Sequence, residues 1–517
     1  MMLLEAEQEQ TMATPSEKLA DALNRMQAVQ SDGIVRSNQL SRTSLDRLTK
    51  AGFLCEIIRS WHYVANPVSS PGSTAWYGHY WSFLRQYLDE KFGKDYCVLP
   101  EPSLALLTGA TVVPRQIAVM RPAPGQQVLH LCLDTSLYIY QDKANFPERT
   151  VEIHGIQVME LHEALVRVPE GYFRHSSDEA LLALRMLRDP APLLHRLLKS
   201  GKSVVAGRLA GAFRHIGEAL LADRIMDTLK GAGYDVRETN PFDKPIPASV
   251  STMRPLSPHV ARLQAMWEAM RRDVLEIFPA APGLPSDTAP YLTAVEEKYV
   301  QDAYHSLSIE GYRVSPELIE KIRAGQWNPG RDAADRDTAD AMVARGYLEA
   351  FQAVEGSVKR ILAGRLAASV ARTDHHDWYQ ALFAPSVRGG VIPPTALAGY
   401  RNMPVFIRGS RHIPPPYHAL ANTMEALFDL LTHEAEPAVQ AVLGHFAFVF
   451  VHPYPDGNGR MARFLMNALL AGGGFPWTII HLENRTRYME ALEAASVNGD
   501  IRPFAACVRA EMLPEKD

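Results

Sequence analysis

His452-Pro453-Tyr454-Pro455-Asp456-Gly457-Asn458-Gly459-Arg460-Met461-Ala462-Arg463 puts a titratable imidazole, a carboxylate, two glycines around an amide and two arginines into twelve residues. Each of these groups suits a polyphosphate. A histidine that titrates near neutrality takes a proton from an attacking hydroxyl. An aspartate holds Mg²⁺, a cation that prefers hard oxygen ligands and shares them with phosphates. Gly457 and Gly459 allow the backbone conformations that turn successive N–H groups toward an anion. Arg460 and Arg463 bring fork-shaped donors for phosphate oxygens.

The flanks place this stretch between helices. Ala438 to Val451 is apolar nearly all round, which predicts a buried helix. Pro453 and Pro455 end it, because proline disfavours the helical region for the residue before it. Met461, Phe464, Leu465 and Ala468 then recur at helical spacing, so a second helix starts near Gly459 with its N-terminus toward the loop, where an anion is favoured. Arg460, Arg463 and Asn467 lie on that helix's other face.

HPYPDGNGR followed by Arg463 resembles the HPFx[D/E]GNGRxxR signature of Fic proteins, with Tyr454 where the family usually has Phe. The resemblance implies an all-α Fic domain over residues 291–517, Mg²⁺ as cofactor and ATP as substrate. It further implies transfer of AMP to a Ser, Thr or Tyr hydroxyl of a target protein or of the chain itself. On the matching positions it makes His452 the catalytic base and Asp456 the metal ligand. Gly457, Asn458, Gly459, Arg460 and Arg463 become the phosphate ligands.

Upstream, Leu292, Val295, Tyr299, Ala303, Ser306 and Glu310 fall on one face of a helix over 292–310, which Gly311 ends. An apolar stripe that finishes in Ser and Glu puts a carboxylate somewhere sheltered. Ser306-Leu307-Ser308-Ile309-Glu310-Gly311 resembles the [S/T]xxxE[G/N] inhibitory motif of the same family. It implies that Glu310 pairs with Arg463 and blocks the γ-phosphate; a carboxylate competes for the donors a phosphate needs. Tyr400 to Ser410 is a short β-prone run with a Gly-Ser turn. It resembles the family's β-hairpin flap, with Val405, Phe406 and Ile407 adding a strand to the target segment. Tyr488 aligns with positions that line the family's adenine pocket.

A chain of 517 residues, 47% hydrophobic and 21% charged, allows several globular domains. The formal net charge of −5 argues against wholesale coating of nucleic acid. Cys55, Cys97, Cys132 and Cys507 form no metal-spaced pair and read as buried thiols of a reducing compartment. Glu5, Glu7 and Glu9 make the first residues too acidic for a signal peptide, and no apolar run reaches membrane-helix length, so a cytoplasmic protein is expected, with no membrane partner.

Taken in order, residues 1–15 are expected to be a disordered tail. Residues 16–66 carry helical patterns at Leu19–Met26, Val35–Leu40 and, capped by Ser41, Leu45–Ala51, then a β-rich stretch around Arg59-Ser60. Three short helices and a hairpin make a winged helix-turn-helix. Arg42, Ser44, Arg47, Lys50 and Arg59 are its DNA-contact candidates, against the alternative of a module that binds protein or nothing. Residues 75–235 mix strands (Val128 to Tyr140) and helices (Ser177 to Leu187, with Ser176 and Glu179 at capping-box spacing). With the winged helix, this α/β region resembles abortive-infection type IV antitoxin regulators, which implies transcriptional self-regulation. Gly201-Lys202-Ser203 ends like a P-loop, but Arg196 stands where its first glycine belongs, so a helix-connecting turn is expected. Residues 236–290 read as Pro/Ser-rich linker around one amphipathic helix over 260–278, and Thr338 to Leu362 as one long helix. His375 and His376 have no third ligand at helical spacing and read as solvated surface.

The whole is multidomain and mainly α. Two further functions stay open: removal of AMP from a modified target at the same site, and a DNA-binding regulator whose Fic domain senses nucleotide or modifies itself.

Overall fold

The computed structural model describes residues 14–67, 73–242, 257–327 and 338–513. Two compact units emerge: Met1–Ser103 with Val113–Ala164 and Phe406–Arg411, and Leu104–Val112 with Leu165–Val405 and His412–Asp517. Residues 165–235 therefore cluster with the unit that carries the His452 motif.

In the first unit, α1 (Pro15–Val29) starts at Thr14, whose hydroxyl and the Glu17 carboxylate cap each other's backbone N–H groups. The tail expected over residues 1–15 otherwise lies outside the described residues. β1 (Ile34–Arg36), α2 (Arg42–Lys50), β2 (Leu54–Ile58) and β3 (Trp61–Val64) follow, and the strands pair antiparallel in the order β1-β3-β2. Ser41 caps α2 as expected, through its hydroxyl on the Ser44 N–H. Val35–Leu40 is not the helix its apolar spacing predicts. Val35 is fully buried in β1, and Ser37–Gln39 forms a single 3-10 turn. Ala22, Met26, Val35, Leu40, Leu48 and Leu54 close the small core.

α3 (Ser73–Phe92), β4 (Cys97–Val98) and α4 (Pro100–Leu107) lead to β5 (Gln116–Arg121), β6 (Gln127–His130) and β7 (Ser136–Gln141). This second sheet runs β4-β5-β7-β6, with only the β5–β7 pair parallel. β8 (Thr150–Ile153) and β9 (Ile156–Met159) form a hairpin.

The second unit resumes within α5 (Leu161–Arg167) and is helical: α6 (Tyr172–His175), α7 (Ser177–Met186), α8 (Ala191–Ser200), α9 (Ser203–His215), α10 (Ala219–Gly231) and α11 (Pro258–Ile277) follow. The capping box expected at Ser176 is absent: its side chain makes no cap bond, because Ser176 also closes α6. Gly201, at φ 63°, is the left-handed stop of α8 with α9 directly behind it, so the P-loop lookalike is a turn.

α12 (Ala289–Ile309), α13 (Pro316–Arg323), α14 (Thr338–Leu362), α15 (Ala367–Arg388) and α16 (Leu420–His433) precede α17 (Pro437–Val451) and α18 (Asn458–Gly472), and α19 (Arg485–Asn498) and α20 (Arg502–Met512) close the chain. One continuous core runs from Leu263 to Met512; within it α17 is apolar on nearly every side and packs on α18, whose Arg460, Arg463 and Asn467 are buried as well.

Two expectations fail here. No strand forms between Tyr400 and Pro416, so the flap is not a hairpin. Pro404 and the run Pro414-Pro415-Pro416 remove the backbone donors that a ladder requires. His375 and His376 are not solvated surface. His375 is 4% exposed, with Nε2 2.7 Å from the Tyr400 hydroxyl, and His376 Nδ1 lies 3.1 Å from the Tyr454 hydroxyl.

Candidate active site

The loop between α17 and α18 begins at His452, a non-glycine residue at φ 52°. Such a left-handed residue costs about 1 kcal/mol or more unless its surroundings hold it. The His452 N–H closes α17 on the Phe448 carbonyl at 2.9 Å. Its Nδ1 lies 3.1 Å from the Val449 carbonyl. A carbonyl only accepts, so Nδ1 carries the proton and Nε2 keeps its lone pair. Burial, with the Arg401 charge adding to it, pushes the imidazole down to about 4; the Val449 bond, Glu310 and Asp456 act the other way. At neutral pH the ring is therefore a neutral base.

The loop is anchored by Tyr454, which is fully buried and stacked on Tyr379 with ring centroids 3.8 Å apart. Its hydroxyl finds the polar partner it needs in His376. Asn458 ties the loop into a ring: its Oδ1 accepts the Tyr454 N–H at 2.9 Å and its Nδ2 donates to the Tyr454 carbonyl at 2.8 Å. Both bonds hold the loop, and one Nδ2–H of Asn458 is left over from them. Gly457, at φ 80°, starts α18, and a Cβ there would meet the Phe383 ring at 2.8 Å.

Both arginines of α18 are buried. Arg460, 1% exposed, has its guanidinium 5.2 Å from the ring centres of Tyr312 and Phe383, and it reaches Asp456 at 3.1 Å. Arg463 donates from Nε to the Ser306 hydroxyl at 2.8 Å and from Nη2 to the Ser306 carbonyl at 3.1 Å and to Glu310 Oε1 at 2.8 Å. Arg460 Nε and Arg463 Nη1 have no hydrogen-bond partner among the described residues. Buried donors left open beside a helix N-terminus mark a place for an anion.

Glu310 follows the last turn of α12, and Gly311 at φ 93° releases the chain behind it. Burial raises the Glu310 carboxyl, but Arg463 and Arg460 outweigh it and hold the group below its ordinary value. Its Oε1 would be 2.3 Å from a Cβ placed on Gly459, so the carboxylate lies directly over the first turn of α18. Ser306 and Glu310, distant in sequence from the motif, are thus brought to Arg463, and Gly311 only ends the turn behind them.

The donor set around Asp456 fits Mg²⁺ shared with a substrate phosphate. Its side chain is 65% exposed, and among the described residues no cluster of three or more His, Cys, Asp or Glu makes an all-protein cage.

Other candidates land elsewhere. Tyr488 is 1% exposed with its hydroxyl 2.8 Å from His445 Nε2, so it offers no face to an adenine in this arrangement. Asn467, on the supposed polar face of α18, is buried and holds the Thr478 backbone by two bonds. Of the flap residues, Val405 belongs to the second unit, while Phe406 and Ile407 belong to the first, where the Phe406 ring lies against Gly78. Of the DNA-contact candidates, Arg42, Lys50 and Arg59 are exposed. Ser44 is buried and bonded to Ser41, and Arg47 donates to the Lys18 carbonyl at 3.2 Å, so both serve the fold of the first unit. All four cysteines are free thiols; Cys97 and Cys507 are buried and Cys55 and Cys132 only partly so.

Sequence reasoning missed Tyr312, Phe383 and Tyr379, which sandwich Arg460 and Tyr454. Only Tyr312, directly behind Glu310-Gly311, carried a local signal.

Residues 373–470 match the model of the Fic/DOC family. Protein adenylyltransferase Fic of Nematostella vectensis is 32% identical over 226 residues, which is 43% of this chain and 48% of that protein. Its namesake in Drosophila willistoni is 31% identical over 219 residues, 41% of this chain and 39% of that one. The chain thus spans less than half the length of these relatives. A solved structure of Fic-1 from C. elegans is 19% identical with a TM-score of 0.35, covering 65% of this chain and 94% of that one. No described helix is long and apolar enough to cross a membrane. The family match is confined to residues 373–470, which hold the His452–Arg463 motif with its histidine, glycines and arginines gathered around one helix start.

Proposed function

We propose that the protein is an adenylyltransferase that moves AMP from ATP to a hydroxyl of a target protein or of itself. The observation that carries this is a neutral buried imidazole with a free Nε2 beside two buried guanidiniums, each of which keeps one buried nitrogen, Arg460 Nε and Arg463 Nη1, without a partner among the described residues. The target hydroxyl loses its proton to His452 Nε2 while its oxygen forms a bond to the α-phosphorus. The bond from that phosphorus to the bridging oxygen breaks, and pyrophosphate leaves. Arg460, Arg463 and the backbone N–H groups around Gly457 and Gly459 hold the phosphates and offset developing charge. Asp456 would hold Mg²⁺, whose charge offsets that of the phosphates.

Glu310 acts as an inhibitor of this reaction, since it already occupies Arg463 and the start of α18. α-labelled ATP offered to wild type, Glu310→Gly, and Glu310→Gly with His452→Ala tests both statements. Label on protein in Glu310→Gly alone supports them; label retained in the double variant removes the base from His452.

Two companion roles have support from single observations. Glu310 stays ionised over the phosphate site, which suits orienting a water for removal of AMP; AMP release by wild type and not by Glu310→Gly tests it. Residues 16–66 hold α1, β1, a 3-10 turn, α2, β2 and β3, with Arg42, Lys50 and Arg59 exposed, which supports a winged-helix reading although the second helix is reduced to a turn. Salt-sensitive, sequence-selective binding of the chain's own upstream DNA, weakened by Arg42→Ala, tests a regulatory role.

A further inference from the structure

A helix C-terminus leaves its last carbonyls without intrahelical partners. At the end of α17 each one has a partner. The Phe448 carbonyl accepts the His452 N–H at 2.9 Å, and Val449 accepts His452 Nδ1 at 3.1 Å. Phe450 accepts His412 Nε2 at 2.8 Å, and Val451 accepts Arg401 Nη2 at 3.5 Å. Arg401 then continues past the helix. Its Nε donates to the His452 carbonyl at 2.8 Å and its backbone N–H to the Pro453 carbonyl at 2.9 Å. Its remaining donors reach Met403 at 3.1 Å and Pro415 at 2.5 Å, on either side of the supposed flap.

Arg401 is 3% exposed, and its recorded hydrogen-bond partners are all carbonyl oxygens. A buried guanidinium without a carboxylate is normally costly. Here the negative end of the α17 dipole serves as its counter-charge. Burial lowers Arg401 to about 10, so it stays protonated at neutral pH.

We infer that Arg401 is the positioning residue for the base: its guanidinium locks the His452 backbone in the left-handed conformation and ties it to both sides of residues 403–415. Without that lock, His452 has only its N–H bond to Phe448 and its ring bond to Val449 to hold a conformation that a β-carbon disfavours. The ring then loses its fixed tautomer, and Nε2 is no longer the sole base. The charged or titratable groups acting on His452 are Arg401, Glu310, Asp456 and His412. Of these only Arg401 touches its backbone. The inference rests on the proposed role of His452, so one arm of its test must not depend on activity.

That arm is the ring ¹⁵N spectrum of His452 in the full chain, assigned with His452→Gln and followed from pH 4 to 8. In the parent a single Nδ1–H tautomer is expected, with no titration near neutrality. Arg401→Met is expected to give mixed tautomers and an upward-shifted midpoint; Arg401→Lys restores the charge and not the fork, so the midpoint returns while the mixture remains. The second arm is AMP transfer in a Glu310→Gly background. Arg401→Met is expected to lower kcat about 100-fold, the cost of misplacing a reacting group, with ATP affinity unchanged. A folded Arg401→Met whose His452 spectrum matches the parent's overturns the inference. If that variant does not fold, Arg401→Lys decides on the tautomer alone. A Glu310→Gly parent that transfers no AMP counts against the proposed function, and the spectrum still judges Arg401.

Discussion

Replacing Glu310 by Gly should tighten ATP far more than AMP. The carboxylate makes one charge-assisted bond to Arg463 at 2.8 Å and lies over Gly459 at the start of α18, so a phosphate entering there has to displace it. A hydrogen bond to a charged group is worth about 1.5–3 kcal/mol, and Glu310, 28% exposed on its side chain, belongs toward the lower end. Removing the competitor therefore frees about 2 kcal/mol for the incoming anion, or ~30-fold in affinity. Calorimetric titration of the full chain with ATP and with AMP, both with Mg²⁺ and in a His452→Ala background to stop turnover, reads this directly. AMP lacks the outer phosphates and should gain less than about threefold by the same accounting. Equal gains for both nucleotides, or none for ATP, would refute the idea that Glu310 competes for the terminal phosphates.

Asp302, 3% exposed and bonded to the Tyr347 hydroxyl, is raised by burial to about 6. Its folded value lies above the unfolded one, so its contribution falls as pH rises from about 4 through 6; Asp302→Asn should raise stability at pH 8 by up to about 3 kcal/mol and by about half that at pH 5, read by urea unfolding. His375 and His452 are pushed down by burial to about 4, and His412 and His445 to about 3, against about 6.5 unfolded. Between those values the unfolded chain binds more protons, so their contribution is full above 6.5 and drains as pH falls; a urea midpoint that does not drop from pH 7.5 to 5 contradicts this. Asn458→Ala strips both bonds from Tyr454 and should cost about 2 kcal/mol by the same urea measurement, while an unchanged midpoint would mean the loop holds without the amide.

The motif was legible because its chemistry is concentrated in consecutive residues whose flanking prolines and glycines also fix where the helices stop. Glu310 was legible for a related reason, as a carboxylate at the end of an apolar stripe. What sequence alone misassigned shares one physical cause: a polar side chain does not announce whether its partner is a ligand or another part of the chain. Asn467 and Tyr488 looked available and are committed to Thr478 and His445. Ser44 and Arg47 are likewise committed to Ser41 and Lys18. His375 and His376 looked idle, yet they support Tyr400 and Tyr454, and Tyr454 stands 78 positions beyond His376. The β-prone run around Val405 was read from propensity, which the neighbouring prolines override.

The contact between Glu310 and Arg463 joins two points of a single chain 153 residues apart. On the proposed reading the inhibitor is tethered, so its local concentration is set by the fold and not by how much protein is present. Dilution leaves the site closed, and added nucleotide sees an apparent affinity scaled by the small fraction of time the carboxylate is away. Escape then depends on whatever loosens the end of α12, which makes that helix, and not the reacting loop, the place where a signal would set the enzyme's rate.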